Sequence, residues 1–112
     1  PEPALSAMEN NARAAEALLA REGLGREERV YAFGAFNELG ISLLKWRVDT
    51  RKPGEANEDL ARAEQVIARA IELGEEIVRE RPDDPSTKQQ LAASRNNFAG
   101  ALRRRGDYEN AR

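Results

Sequence analysis

The chain has 112 residues, of which 34% are charged and 40% hydrophobic, and its formal net charge is -2. This length is typical of one domain, and the lack of a basic excess argues against nucleic acid as a partner. The chain has no Cys and no His, which argues against zinc sites, disulfides and nucleophile–imidazole pairs. We therefore expect no enzyme, metal or cofactor.

Apolar residues recur at helical spacing between three connectors that are rich in Gly, Pro and polar residues. The connectors lie at 23–25, 48–54 and 82–85. The pattern predicts four helices, at 4–22, 26–47, 57–81 and 86–105. Gly106-Asp107-Tyr108 has the composition of a turn that starts a fifth helix. No stretch alternates as a strand does, so the predicted fold class is all-α.

The fourth predicted helix carries a start signal. Ser86 and Gln89 follow Pro85 with the spacing of a capping box, so Ser86 is the predicted N-cap. The longest uncharged apolar stretch, at 40–44, is far too short to cross a bilayer. We expect no membrane partner.

The sequence repeats itself when it is shifted by 59 residues. The second predicted helix then falls on the fourth, and the first falls on the third, without gaps. The matched pairs include Asn37 with Asn96, Gly40 with Ala99, Leu43 with Leu102, Ala4 with Ala63 and Leu18 with Ile77. One offset for both pairs of helices predicts stacked helical hairpins.

These residues resemble the tetratricopeptide repeat family. Phe36-Asn37-Glu38-Leu39-Gly40-Ile41-Ser42-Leu43 is similar to the family's first-helix pattern, with Leu43 in the Tyr position. Ala63-x3-Ile67 with Ala70, closed by Pro82, is similar to the second-helix pattern, and 98–111 has the spacing of the turn between the two helices. A period of 59 exceeds the family's period of about 34 residues.

The resemblance implies antiparallel helical hairpins stacked as an α-solenoid, within a single domain that covers 1–112. Its parts would be the second helix of a partial repeat (1–22), a complete repeat (26–81), and the first helix and turn of a truncated repeat (86–112). We expect the chain to be a piece of a longer array. A repeat cut in this way leaves an apolar face that could pair with another copy, so a homo-oligomer through the truncated C-terminal repeat is a further expectation.

First helices of such repeats line a concave groove that binds a peptide or partner helix, and the resemblance therefore implies a protein–protein interaction module. Counting from Leu39 and Phe98, the predicted partner-binding residues are Asn37, Ile41, Leu44, Lys45, Asn96, Arg103 and Arg104. The two Asn amides would donate to and accept from a peptide backbone, and the basic residues would pair with carboxylates. The alternative is that both Asn residues are solvated surface positions.

Other functions have less support. Arg103-Arg104-Arg105 complements a helix C-terminus, which explains this basic run without nucleic acid. Adjacent carboxylates such as Glu75 and Glu76 point in different directions on a helix and do not converge on a substrate. The alternative function is a structural or oligomerising spacer within a larger signalling or regulatory protein, without its own ligand.

Overall fold

The structure, a computed structural model, describes residues 2–21, 23, 25–52 and 54–110. It has four α-helices. They are α1 (Glu2–Leu19), α2 (Arg26–Leu43), α3 (Asn57–Glu80) and α4 (Pro85–Asn110). None of the described residues forms a strand. The predicted all-α class and the number of complete helices are confirmed.

The predicted turn into a fifth helix is wrong. Helix α4 continues through Gly106 and Asp107 to Asn110. One Gly costs only about 1 kcal/mol in a helix, so Gly106 does not stop a helix that packs on α3 over its whole preceding length. Ala111, which was expected in the fifth helix, lies outside the described residues.

Helix α2 ends in a π-helical segment, Leu44–Val48. The backbone N–H of Asp49 donates to the carbonyl oxygen of Leu44 at 2.8 Å, five residues back. The wider turn keeps both Leu44 and Val48 in the core, with 4% and 0% of their surface exposed. Trp46, between them, is half-buried against the same core.

Successive helices run antiparallel and form two hairpins, α1–α2 and α3–α4. Arg47 at the end of α2 pairs with Glu2 at the start of α1, and Arg105 near the end of α4 pairs with Glu64 near the start of α3. Arg26 at the start of α2 donates to the carbonyl oxygen of Ile77 near the end of α3 at 3.0 Å. Helix α3 thus packs on both α2 and α4.

The core lies where α3 meets α2. The largest fully buried side chains there are Phe33, Phe36, Leu39, Leu60, Ile67, Leu73 and Ile77. Gly40 lets the two helix backbones approach closely, because an added Cβ would lie well under 3.0 Å from Ile67 Cγ1 and 3.2 Å from Val66 Cγ2. Gly74 on α3 has a similar role against Phe33 and Leu91.

Helix α4 is capped by Asp84, so the predicted capping box at Ser86 is wrong. Asp84 Oδ1 accepts from the backbone N–H groups of Ser86 and Thr87 at 3.0 and 3.5 Å, and Oδ2 accepts from the Thr87 hydroxyl at 2.9 Å. Pro85 therefore takes the first helical position, where its missing N–H has no consequence. These hydrogen bonds, that of the Thr87 hydroxyl above all, lower the pKa of Asp84.

Two glycines of α2 should respond oppositely to alanine. We expect Gly40→Ala to destabilise the protein by about 1–3 kcal/mol, because Ile67 is fully buried and has no room to move. We expect Gly34→Ala to stabilise it by about 0.5–1 kcal/mol, because nothing lies within 4 Å of the added methyl group. Urea unfolding monitored by circular dichroism measures both values, and a change of equal sign in the two variants would contradict the packing.

Acid should weaken the Asp84 cap. A lowered pKa means that the ionised cap contributes stability above the unfolded-state pKa of about 3.9, and that this contribution is lost as the pH falls through the folded-state pKa. Asp84→Asn keeps a capping oxygen but no charge. We expect the wild-type urea midpoint to fall more steeply than that of Asp84→Asn between about pH 5 and 2.

The control for this experiment is Asp83→Asn. No hydrogen bond or ion pair of Asp83 is present among the described residues. The urea midpoint of Asp83→Asn should therefore fall with pH as steeply as that of the wild type. Wild-type and Asp84→Asn midpoints that fall in parallel would show that the cap does not titrate.

Candidate functional site

Helices α2 and α4 lie side by side and run in the same direction. Three polar contacts join them in chain order. They are Arg26 to Asp84 at 3.3 Å, Ser94 to Asn37 at 2.6 Å, and Arg104 to Asp49 at 2.7 and 2.8 Å. Each contact joins residues 55 to 58 apart in the chain, so the two helices keep nearly the same register over their length.

A groove of about 430 Å³ lies between these two helices. Its lining combines small and apolar side chains with three amides, one hydroxyl and one carboxylate. It is formed by Gly34, Asn37, Glu38 and Ile41 of α2 and by Gln90, Ala93, Ser94 and Asn97 of α4. Gly34 has open space where a side chain would project, and Ile41 is 41% exposed. The groove is therefore accessible, with an apolar surface and amide groups at its sides.

The amide of Asn37 is held in place at the groove. The Ser94 hydroxyl, which is buried, donates to Asn37 Oδ1. No partner for the side-chain NH2 of Asn37 is present among the described residues, so this group is available to donate to a ligand. Gln90 and Asn97 across the groove carry further amide donors and acceptors.

An ion pair joins the two helices near their ends, beyond the residues that line the groove. The Arg104 guanidinium donates to both oxygens of Asp49, a fork geometry that fixes the separation of the two walls. The hydrogen bond from Arg104 holds the pKa of Asp49 below its usual value. Because Asn37–Ser94 and Asp49–Arg104 both join the walls, the groove has its shape before any ligand binds.

The structure brings some predicted site residues together and separates others. Asn37 and Ile41 line the groove. Lys45 is exposed one turn beyond Ile41, and it forms no ion pair among the described residues. Arg104 belongs to the ion pair near the helix ends, whereas Arg103 is exposed outside the groove lining.

Two of the predicted partner-binding residues lie outside the groove. Leu44 is buried in the core with 4% exposure, on the same face of the helix as buried Gly40 one turn earlier, so it has no surface to offer a partner. Asn96 is exposed but does not line the groove; its neighbour Asn97 does. Adjacent helical residues point about 100° apart, so Asn96 and Asn97 face different surfaces.

The burial pattern gives a repeat offset that differs by one residue from the predicted offset. Burial on α2 and α4 matches at an offset of 58, where the predicted offset was 59. Fully or nearly fully buried pairs at 58 are Phe33 with Leu91, Phe36 with Ser94, and Leu43 with Ala101. At 59, buried Phe33 and Phe36 are matched with Ala92 and Arg95, which are exposed. Asn37 and Asn96 are therefore not equivalent positions.

Sequence reasoning missed Gln90, Ser94 and Asn97. The offset of 58 does not find these residues either, because it matches them with Ala32, Phe36 and Leu39, which are buried in the core.

Comparison with family models, with curated proteins and with solved structures finds no match for this chain. Within the described ranges, no helix has the length and apolar character needed to cross a membrane. In that same part of the chain, His, Cys, Asp and Glu side chains form no cluster that could hold a metal ion.

Proposed function

We propose that the chain is a tetratricopeptide-like α-solenoid module that binds an extended peptide in the groove between α2 and α4. The observation that carries the proposal is the groove itself. It lies between two parallel helices and combines an accessible apolar surface with amides from both walls.

The layered arrangement of the helices supports the solenoid. Helices α1 and α3 form one layer, joined by the ion pairs Glu9–Arg62 at 3.4 Å and Glu16–Arg69 at 4.0 Å. Helices α2 and α4 form the other layer, with the groove on the open side between them. Stacked helical hairpins of a solenoid have this arrangement, because each hairpin buries its face only against its neighbours.

The lining of the groove favours a peptide ligand. Gly34 and Ala93 leave room for the ligand backbone, and the Asn37, Gln90 and Asn97 amides supply hydrogen bonds that do not depend on ligand side chains.

Lys45 gives the groove a preferred orientation for the peptide, with an acidic group at the Lys45 end. It is exposed one turn beyond Ile41 and has no ion pair among the described residues. An acidic side chain or a terminal carboxylate of the peptide would pair with it. Arg104 already pairs with Asp49, so its charge would not pair with the ligand. Its role would be to hold α4 at a fixed distance from α2.

Adjacent Asn residues provide the test. A peptide is first selected from a displayed random library with the 112-residue chain, and its affinity is then measured by fluorescence anisotropy. We expect Asn97→Ala to weaken binding about fivefold to tenfold, because one buried amide hydrogen bond is worth about 1 kcal/mol. Asn96→Ala is the matched control and should bind as the wild type does.

The groove volume provides a second test. Gly34→Leu would fill the groove and should abolish binding, whereas Gly34→Ala adds one methyl group in open space and should keep most of the affinity. Circular dichroism checks that both variants are folded. Wild-type affinity in Gly34→Leu, or equal losses in Asn96→Ala and Asn97→Ala, would place the peptide elsewhere.

A further inference from the structure

Glu38 carries the charge of the α2–α4 groove. The other residues that line the groove are glycine, alanine, isoleucine, serine and amide side chains. Glu38 is exposed, and no ion pair or hydrogen bond of its carboxylate is present among the described residues. The groove therefore presents a negative charge that the described part of the chain does not balance.

The neighbours of Glu38 explain why its carboxylate stays unpaired. An acid on a helix finds its local partner three or four residues away. The residues at those distances from Glu38 are all uncharged: Gly34, Ala35, Ile41 and Ser42. Across the groove the α4 wall is uncharged as well, with Gln90, Ala93, Ser94 and Asn97. A cation for Glu38 therefore has to come from a ligand.

The arginines of α2 and of its π-helical segment pair with acids away from the groove. Arg26 and Arg29 both pair with Glu80 at the end of α3. Arg47 pairs with Glu2 at the start of α1. These ion pairs hold the three guanidinium groups on the sides of the helix that face α3 and α1, and not on the side that lines the groove.

Lys45 lies on the same face of the helix as Glu38, two turns further on. Two turns correspond to about 10 Å along a helix, which is too far for the two side chains to form an ion pair with each other. Ile41 lies between them and is 41% exposed. The α2 wall thus carries a negative charge, an apolar side chain and a positive charge in chain order.

The groove continues on both sides of Glu38. Gly34, one turn before Glu38, lines the groove and has open space where a side chain would project. Ile41, nearly one turn after Glu38, lines the groove too. A peptide that fills the groove therefore passes Glu38 and does not end there. The group that meets this carboxylate is thus a side chain of the peptide and not its terminal amine.

We propose that the peptide bound in the α2–α4 groove carries a Lys or Arg side chain that pairs with Glu38, and that Glu38 and Lys45 together fix the direction of the peptide. The basic residue lies at the Glu38 end and an acidic group lies at the Lys45 end. This inference rests on the proposed function, which supplies the peptide. A peptide with the opposite order of charges would bring like charges together at both ends, so the two residues select by repulsion as well as by attraction.

Charge reversal at Glu38 tests the pairing. A peptide is selected from a displayed random library with the wild-type chain and synthesised with an acetylated N-terminus, so that only its side chains carry positive charge. We expect Glu38→Gln to lower its affinity about twofold to fivefold, the size of one exposed ion pair. Glu38→Lys adds repulsion and should lower the affinity at least about tenfold.

The matched control for this charge reversal is Glu58→Lys. Glu58 is exposed on α3, lies outside the groove lining and has no ion pair among the described residues. Its reversal makes the same change in net charge, so we expect it to bind the peptide as the wild type does. Circular dichroism checks that all variants are folded.

Exchanging the charge on the peptide gives the decisive result. A peptide in which Glu replaces the basic residue should bind Glu38→Lys more tightly than it binds the wild type. A new selection with the double variant Glu38→Lys/Lys45→Glu should yield peptides with the reversed order of charges.

Two kinds of failure can be told apart with Gly34→Leu, which fills the groove. If Gly34→Leu abolishes binding while Glu38→Lys and Glu58→Lys bind equally well, the pairing is overturned and the groove remains the peptide site. An unchanged order of charges in the peptides from the double variant overturns the assigned direction. If the library yields no peptide, or if Gly34→Leu binds as the wild type does, the proposed function fails and this inference fails with it.

Discussion

The close contact of Gly40 with Ile67 is the constraint on which the rest of the structure depends. It brings the backbone of α3 against α2 and so joins the two hairpins into one core. Gly74, further along α3, lies against both Phe33 of α2 and Leu91 of α4, so it brings the three helices together. The spacing of α2 and α4, and with it the groove between them, follows from these two close contacts on α3.

The helices were predictable because their signals are local. Gly and Pro connectors and the spacing of apolar residues located four helices, and α3 begins at Asn57 as predicted. The end of α4 was not predictable from Gly106 alone, since packing on α3 outweighs a weak local preference. Asp84 and Ser86 are both of a residue type that caps helices. Pro85 lies between them and favours the first helical position, so the residue before it, Asp84, is the N-cap.

The candidate site was predictable only in part, because it depends on helix rotation. An error of one residue in the repeat offset turns a helix face by about 100°. At the offset of 58 that burial gives, Asn37 corresponds to Arg95, so neither Asn96 nor Asn97 is its equivalent. Asn37 and Ile41 line the groove, and their position on α2 does not use the offset. Leu44 lies one turn after buried Gly40 on the face of the helix that packs in the core.

The helices differ in how many neighbours they pack against, and we expect their local stability to differ in the same order. Helix α3 packs on both α2 and α4. Helix α4 packs on α3 and leaves Leu102 exposed to solvent. Local opening in proteins begins where few buried contacts are lost. We therefore expect the amide protons of α4 to exchange with solvent faster than those of α3, through partial openings that leave α2 and α3 intact.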